Sequence, residues 1–429
     1  MNKLAIHGGT KVRTKKFPKY NSIGQNEIDA VTNIMQNGVL SKFIGAWCDD
    51  FYGGEKVQEF EKLWCEKFDA KHTISVNSNS SGIIAALGAC GIGLDDEVIV
   101  SPYSMSISAT APLIYNATPV FCDLNRENYG FDLNHLKSLI NKHTKVIIVV
   151  HIFGIPSDMD EIMKIAKEHN LYVIEDCAQA PLATYRGKKV GTLGDIGIFS
   201  LNYHKHIHTG EGGMCTTNNE NLANKLQLIR NHAESVVEDK GETDLTNMLG
   251  FNFRITEIQA AIGIEQLKKI DEEVALRHKY AKMYDNALNK YPFIKVNNLQ
   301  NRQSAHYIQV FEFDENLAGI SRNKFIEAVK AELEPVEGRE NEGVPIYEGY
   351  VKPLYLLPLF QHRQVYNKKN FCFKTTIKYE KGICPNVEKL YHKTLWEHDL
   401  TRSPLLEEDI NDIISAYTKV CDNINELKQ

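Results

Sequence analysis

Short apolar segments alternate with helical windows through the first half of the chain, and this alternation constrains the fold more than any other feature. Most of the apolar runs are separated by windows in which apolar residues recur at helical spacing. Near-continuous apolar strands that alternate with helices are typical of a mostly parallel sheet covered by helices. The sequence therefore predicts an α/β fold. The predicted strands are Thr73–Val76, Glu97–Ser101, Pro119–Asp123, Val146–Phe153, Tyr172–Asp176, Ile196–Leu201 and Gly213–Thr217.

Apolar residues that recur at helical spacing predict the helices between the strands and in the last third of the chain. The last third of the chain returns to mixed strands and helices and contains a proline-punctuated loop at 345–358. We therefore expect an N-terminal arm outside the core over residues 1–25, a large domain over 26–270 and a smaller C-terminal α+β domain over 271–429. The predicted helices are Gln25–Asn37, Lys56–Phe68, Ser80–Cys90, Asp132–Ile140, Met159–His169, Leu222–His232 and a long zone from Glu257 to Asn289 with a break near Asp271.

Length, charge and cysteine spacing exclude several classes of protein. The chain has 429 residues, and its net charge of −6 without a basic stripe argues against a nucleic-acid partner. It has no apolar run of about 18 residues and no apolar signal core near Met1, so it predicts neither a membrane span nor a secretory leader. Nine cysteines lack Cys-x-x-Cys spacing, so we expect no metal site, no disulfide framework and a cytoplasmic location.

The first candidate binding residues follow the first predicted strand. Ligands of open α/β sheets bind at the carboxyl ends of the strands, which directs attention to the residues after each run. The segment Asn77–Gly82 consists of small polar residues that lead into a helix, with Asn79 and Ser80 at its start. Backbone amides and hydroxyls at a helix N-terminus form an anion or phosphate site, although simple N-capping explains the same residues. The segment contains no Gly-x-Gly-x-x-Gly pattern and no P-loop lysine.

A carboxylate follows the fifth predicted strand. Asp176 stands at the end of this apolar run, with Gln179 three residues later. A buried carboxylate without a partner costs several kcal/mol, so Asp176 requires a cationic or hydrogen-bonding group. A cationic ring nitrogen of a cofactor and an arginine elsewhere in the chain are equally compatible with this requirement.

The third candidate is a lysine held between two short strands. Lys205 lies in the stretch Phe199–Gly213, which begins with apolar residues, passes through three histidines and ends in Gly-Glu-Gly-Gly. Partial burial by the apolar flanks lowers the pKa of a lysine and makes its amine a better nucleophile, as a Schiff-base lysine requires. A solvated loop lysine is the alternative, since most lysines are exposed.

Together these three candidates supply the three groups that pyridoxal 5′-phosphate requires. The cofactor needs a cradle for its phosphate, a carboxylate that keeps its pyridine nitrogen protonated and a lysine that binds its aldehyde. With these residues the chain resembles the DegT/DnrJ/StrS family of sugar aminotransferases, a branch of the fold type I pyridoxal-phosphate enzymes. The resemblance rests on Gly54–Glu61, Leu94–Pro102, Thr118–Asp123, Glu175–Ala180, Phe199–Gly213, Gly250–Arg254 and Glu257–Ala261.

The family resemblance implies a role for each candidate residue. Lys205 is expected to be the Schiff-base lysine and proton shuttle, Asp176 to pair with the pyridine nitrogen, and Gln179 to lie against the ring or its hydroxyl. The expected phosphate ligands are Asn79, Ser80, Ser200 and, from the neighbouring subunit, Asn252.

The resemblance also implies a reaction and an assembly. Glutamate or glutamine would leave its amino group on the cofactor, and a keto sugar, expected to be nucleotide-linked, would then collect it in amino-sugar, surface-polysaccharide or antibiotic biosynthesis. Because Asn252 is expected to serve the partner, the resemblance implies a homodimer with shared active sites.

The chain departs from the family pattern at two places. Ser106 occupies the position at which relatives carry an aromatic residue over the cofactor ring, so stacking either falls to Tyr103 or is weakened. The segment Leu40–Gly54 is longer and more aromatic than the usual turn, and we expect it to shape the acceptor site. Surface packing without a binding role is the alternative for this loop.

Two other functions stay open at this point. Some relatives carry histidine in place of the lysine and act as sugar dehydratases, and His204 and His206 flank Lys205 here. Counting forward from Ser200 and back from Gly210 both place Lys205 at the Schiff-base position. A non-catalytic regulator with this fold is the second alternative, although such a protein is expected to lose Lys205 or Asp176.

Overall fold

The seven strands predicted from the sequence are present, each close to its predicted position. A computed structural model of the chain describes residues 3–233, 236–297, 299–363 and 377–428. The strands of this described part are β1 (His72–Val76), β2 (Glu97–Val100), β3 (Thr118–Phe121), β4 (Thr144–Val150), β5 (Tyr172–Asp176), β6 (Thr184–Tyr185), β7 (Lys188–Lys189), β8 (Ile196–Ser200), β9 (Gly213–Thr217), β10 (Ile294–Lys295), β11 (Arg302–Gln303), β12 (Gln309–Phe313), β13 (Ile346–Glu348) and β14 (Leu395–His398).

Helices fill most of the connections between these strands. None of the helices in the described ranges combines the length and the hydrophobicity needed to cross a bilayer. The α-helices are α1 (Gln25–Asn37), α2 (Glu55–Phe68), α3 (Asn79–Ala89), α4 (Ile107–Ile114), α5 (Leu133–Leu139), α6 (Met159–His169), α7 (Glu220–Arg230), α8 (Val236–Asp239), α9 (Glu257–Leu288), α10 (Glu315–Ala318), α11 (Arg322–Ala331), α12 (Pro358–His362), α13 (Pro385–Lys389) and α14 (Glu407–Asp422).

The large sheet has seven strands in the order β1-β9-β8-β5-β4-β2-β3. Strands β3, β2, β4, β5 and β8 run parallel to one another. Strand β9 runs antiparallel to both β8 and β1. Helices α3 and α4 pack on one hydrophobic cluster of the sheet, while α2, α6 and α9 pack on a second. The predicted α/β fold with a mostly parallel, helix-covered sheet is confirmed.

Two predicted boundaries are wrong. The fourth strand ends at Val150 and not at Phe153, because the chain turns there and Phe153 adopts a left-handed φ of 61°. The break expected near Asp271 is absent, and α9 continues through it. Ile270 and Val274 are buried at helical spacing around this point, and neither glycine nor proline occurs between Ile264 and Leu288. The expected boundary between residues 270 and 271 lies inside α9, so the domain division stays a proposal.

A second, four-stranded sheet in the order β10-β12-β14-β13 covers the last third of the chain. One face packs Phe311 and Trp396 into a cluster with helices α11 and α14. Leu4 and Phe17 of the N-terminal segment are completely buried in the same cluster. The expectation that residues 1–25 lie outside the core is therefore wrong, because these apolar side chains gain burial against the C-terminal elements.

Two glycines allow the start of α3 to lie directly on the large sheet. A Cβ at Gly213 of β9 would lie 2.7 Å from the carbonyl carbon of Ser78 and 2.8 Å from the backbone nitrogen of Asn79. A Cβ at Gly82 of α3 would lie 2.7 Å from Cγ2 of Ile198 in β8. Any side chain at either position would push the helix away from the strands. The predicted phosphate cradle is thus held against the strands that flank Lys205.

Candidate active site

Two of the three predicted groups meet at the carboxyl end of the large sheet. Asp176 ends β5, and Asn79 is the first residue of α3, which follows β1. The side-chain amide of Asn79 donates a hydrogen bond of 3.1 Å from Nδ2 to Oδ1 of Asp176. The backbone amide of Ala178 donates a second bond of 3.1 Å to the same oxygen. Strand order thus brings together residues that lie almost 100 positions apart in the sequence.

The carboxylate of Asp176 retains one oxygen for a ligand. Its side chain is buried, and no hydrogen bond from a described residue reaches Oδ2. Burial raises the pKa of Asp176, while the hydrogen bonds from Ala178 and Asn79 and the charge of Lys205 act in the opposite direction. A protonated ring nitrogen placed at Oδ2 would supply the missing partner.

Lys205 lies in the turn between β8 and β9, as predicted, and is only 8% exposed. Burial lowers the pKa of Lys205 to about 8, although Asp176 and Asp399 attract its proton. Its Nζ lies 4.3 Å from the centroid of the Tyr307 ring. At neutral pH the free protein therefore keeps a small but usable fraction of this amine unprotonated, which a nucleophilic lysine requires. The alternative of a solvated loop lysine is wrong.

The start of α3 leaves two backbone amides free for an anion. The N-cap is Ser78, whose Oγ accepts a 3.0 Å hydrogen bond from the backbone amide of Ser81. The amides of Asn79 and Ser80 donate to no acceptor in the described part of the chain. N-capping and anion binding therefore use different residues of this segment. Ser200, at the end of β8, pairs with Gly213, the glycine that contacts this helix start.

Gln179 and Asn252 occupy different environments. Gln179 is buried, accepts a 2.6 Å hydrogen bond from the Phe153 amide and donates a 2.8 Å bond to the hydroxyl of Tyr350. Asn252 is exposed, and its Oδ1 accepts a 2.9 Å bond from Arg254. No described hydrogen bond links Asn252 to Lys205 or Asp176 of its own chain. Its assigned role toward a partner subunit stays a prediction.

Three tyrosines near the site were missed by sequence reasoning. Tyr307 lies under the amine of Lys205, Tyr350 bonds to Gln179, and the hydroxyl of Tyr20 donates a 3.2 Å bond to the carbonyl of Lys205. These residues belong to the N-terminal segment and the last third of the chain, and no local motif marks them.

Tyr103 and Ser106, the two residues considered for the stacking position over the cofactor ring, differ in their exposure to solvent. Tyr103 has no exposed surface, and its hydroxyl accepts a 2.9 Å bond from the Tyr350 amide. It therefore offers no ring face to a ligand, and the alternative in which it stacks on the cofactor is not supported. Ser106 is exposed at the start of α4.

One residue beside Asp176 has a structural role. Glu175 is fully buried, and its carboxylate accepts hydrogen bonds from the amides of Gly191, Leu193 and Gly194 at 2.9, 2.8 and 2.7 Å. It also lies 2.9 Å from Nε2 of His151. These contacts fix the end of β5 and hence the position of Asp176.

The residues fit pyridoxal 5′-phosphate. A buried carboxylate with one free oxygen, a buried lysine of lowered pKa and a helix N-terminus with free amides correspond to its ring nitrogen, aldehyde and phosphate. The fold and the site define a fold type I aminotransferase that uses pyridoxal 5′-phosphate. The chain belongs to the DegT/DnrJ/EryC1/StrS aminotransferase family, whose model matches residues 21–417.

Comparisons with individual proteins agree with this assignment. The chain is 32% identical over 406 residues to the spore coat polysaccharide biosynthesis protein SpsC of Bacillus subtilis, covering 93% of this chain and 95% of SpsC. It is 29% identical over 446 residues to an L-glutamine:2-deoxy-scyllo-inosose aminotransferase of Streptoalloteichus tenebrarius, covering 99% of both chains. An aminotransferase structure from Psychrobacter cryohalolentis superposes with a TM-score of 0.81 at 29% identity, covering 95% of this chain and 100% of that one.

The titration of Lys205 tests the electrostatics of this site. Competitive labelling of the cofactor-free protein with isotopic acetic anhydride, read by mass spectrometry of the Lys205 peptide, is expected to give a midpoint near pH 8, against about 10.4 for an ordinary lysine. Asp176→Asn removes a charge that favours the ammonium form, so its midpoint is expected to fall below that of the native protein. A native midpoint above pH 10, or an upward shift in Asp176→Asn, would contradict this description.

Proposed function

We propose that the enzyme moves an amino group from glutamate or glutamine to a keto sugar, nucleotide-linked, in the biosynthesis of an amino sugar for a surface polysaccharide or an antibiotic. The observation that carries the proposal is the buried Lys205 amine, with a pKa of about 8, in the field of Asp176. The resemblance to SpsC and to the inosose aminotransferase supports an acceptor with a polyhydroxylated ring.

The chain's own residues divide the work of this reaction. When bound, pyridoxal 5′-phosphate supplies a reactive aldehyde and an electron-withdrawing ring. With the cofactor bound, Asp176 would keep its ring nitrogen protonated, and the amides of Asn79 and Ser80, together with Ser200, would hold its phosphate. Lys205 gives up and accepts protons at Nζ, because its lowered pKa lies close to the working pH.

The amine of Lys205 favours transamination over the alternatives. A dehydratase of the histidine type has no amine at this position, whereas Lys205 is buried beside Asp176 here. The flanking His206 is engaged elsewhere, since its Nε2 lies 2.8 Å from the carbonyl of Ala305. A regulator without catalysis has no need for a lysine whose burial lowers its pKa.

A homodimer with shared active sites is part of the proposal. Large apolar side chains are exposed at Leu40, Ile44 and Trp47 and again at Leu245 and Leu249. An extended exposed apolar patch is typical of a protein interface. Asn231 joins the first of these segments to Asn252, because its side-chain amide donates a 2.9 Å bond to the carbonyl of Ile44 and its backbone forms a β-bridge with Asn252. A second copy seated on this patch would receive Asn252 into its phosphate site. That geometry also supports a role for the Leu40–Gly54 loop at the partner's acceptor site.

The cysteines support the proposed cytoplasmic location. All eight cysteines in the described ranges are free. Free thiols persist in reducing compartments, where disulfides are rare.

A two-stage absorbance measurement tests the proposed reaction. Adding an amino donor to the holoenzyme is expected to bleach the visible band of the bound cofactor, and adding the correct keto sugar is expected to restore it. A nucleotide-linked 4-keto hexose and free 2-deoxy-scyllo-inosose are the two acceptors to compare. Restoration by neither acceptor, or by small keto acids alone, would contradict a sugar aminotransferase.

Subunit mixing tests the shared site. Lys205→Ala and Asn252→Asp are each expected to be inactive, the second because it places a negative charge beside a phosphate. After subunit exchange, a heterodimer carries one site with both lesions and one with neither, so at most about half of the native activity per heterodimer returns. Demonstrated exchange without recovery of activity would show that Asn252 does not serve the partner's site.

A further inference from the structure

The buried amine of Lys205 faces an aromatic ring and not an anion. Its Nζ lies 4.3 Å from the centroid of the Tyr307 ring. Within the described ranges, no hydrogen-bond acceptor and no salt-bridge partner reaches this nitrogen. An ammonium group is attracted to the negative face of an aromatic ring, most strongly where water is excluded. The ring therefore takes the place of the acceptor that a buried ammonium group otherwise needs.

Backbone contacts fix the position of Tyr307. Its amide donates a 3.1 Å hydrogen bond to the carbonyl of Phe153, and its carbonyl accepts a 2.9 Å bond from Nη1 of Arg277. Close approach to the turn after β4 requires Gly154, where a Cβ would lie 3.0 Å from the Tyr307 amide nitrogen. The ring is therefore placed by the fold and does not depend on Lys205 for its position.

The turn that holds Lys205 packs against the same segment. Nε2 of His206 lies 2.8 Å from the carbonyl oxygen of Ala305. The ring centroids of His204 and His206 lie 6.3 and 6.1 Å from that of Tyr307. Burial lowers the pKa of His204 to about 4 and holds the pKa of His206 well below its ordinary range, so both imidazoles are neutral near pH 7. The cation that meets the ring is therefore Lys205.

The other charged groups around the Lys205 amine act on it through space. Burial is the largest influence on its pKa and lowers it, and Arg277 of α9 lowers it further. Asp176 of β5 and Asp399, which follows β14, raise this pKa. Neither carboxylate forms a salt bridge with the amine. These charges set how readily the amine loses its proton, and the ring sets where the ammonium group lies.

We infer that the face of the Tyr307 ring holds the Lys205 ammonium group whenever this lysine is not bonded to the cofactor. This inference rests on the proposed function, because it gives the ring a part in the same reaction. A long side chain that alternates between bonded and free states loses its alignment unless the free amine has a fixed place. Tyr307 supplies that place without occupying the free oxygen of Asp176.

Fluorination of the ring tests this contact without a large change of shape. Fluorine withdraws electrons from the negative face of the ring, so the ammonium group is held less firmly. Tyr307→Phe is the reference and is expected to keep the labelling midpoint of Lys205 in the cofactor-free protein within about 0.3 pH units of the native value. Tyr307→trifluorophenylalanine is expected to lower that midpoint by about one pH unit relative to Tyr307→Phe.

The pH dependence of cofactor attachment is a second readout. Because the unprotonated amine is the nucleophile, the pH of half-maximal attachment to Lys205 is expected to fall by the same amount in the fluorinated variant. A ring that only fills space would leave both values unchanged.

A second variant applies where loss of the hydroxyl unfolds the protein. Tyr307→difluorotyrosine retains this hydroxyl, which stays neutral because burial raises the pKa of Tyr307. It is expected to lower the midpoint of Lys205 by about half a pH unit.

A matched control places the same fluorination on a ring that meets no amine. Phe311 is fully buried in the cluster of the C-terminal sheet, with its ring centroid 5.2 Å from that of Trp396. Phe311→trifluorophenylalanine is expected to leave the midpoint of Lys205 unchanged. Thermal unfolding is expected to give Tyr307→Phe and its fluorinated counterpart the same Tm, since their shapes nearly match.

Each outcome decides the inference. Equal midpoints in Tyr307→Phe and Tyr307→trifluorophenylalanine, a higher midpoint in the fluorinated variant, or an equal fall in the Phe311 control would overturn it, even where an amino donor bleaches the holoenzyme band. A midpoint that falls only when Tyr307 is fluorinated, together with bleaching by an amino donor, supports it. Bleaching by no amino donor would overturn the proposed function and, with it, the part that the ring is given in the reaction.

Discussion

The site depends on keeping the Lys205 amine out of water near a carboxylate that does not fully neutralise it. Desolvation lowers the pKa of Lys205 to about 8, and Asp176 opposes this shift only in part. A direct ion pair would restore the ordinary pKa and consume the free oxygen of Asp176. The observed arrangement instead leaves both groups available to one ligand. Asn79 holds the Asp176 carboxylate by a hydrogen bond, and the Tyr307 ring contacts the Lys205 amine, so each group has its own neighbour in the protein.

The geometry of the site also requires that helices lie directly against strands or against other helices at glycine positions. The first turn of α3, which is the predicted phosphate cradle, lies against β8 and β9 only because Gly82 and Gly213 carry no side chain. A similar contact occurs where Glu257 accepts hydrogen bonds of 2.9 and 3.3 Å from the amides of Lys56 and Val57 at the start of α2. A Cβ at Gly54 would lie 2.5 Å from that carboxyl carbon. The family motifs Gly54–Glu61 and Glu257–Ala261 therefore pack against each other.

The sequence predicted the large sheet well because each strand is a short apolar run between helices of clear periodicity. It predicted where Asp176 lies because the ends of such strands are known ligand positions, and it predicted the turn that holds Lys205 from the apolar flanks and glycines of that stretch, while the roles of both residues came from the family resemblance. It missed Tyr20, Tyr307 and Tyr350, because their places beside Lys205 and Gln179 depend on packing between distant parts of the chain. The break expected near Asp271 is wrong because Ile270 and Val274, four residues apart, bury one face of α9 across this point.

The central claim is that Lys205 binds the cofactor covalently. Borohydride reduction of the holoenzyme, followed by proteolysis and mass spectrometry, tests it most directly because reduction makes the lysine–cofactor linkage permanent. We predict a pyridoxyl phosphate adduct on the peptide that contains Lys205 and no such adduct in Lys205→Ala, which is expected to bind the cofactor without covalent attachment. An adduct on another lysine, or none in the native enzyme despite bound cofactor, would contradict the account.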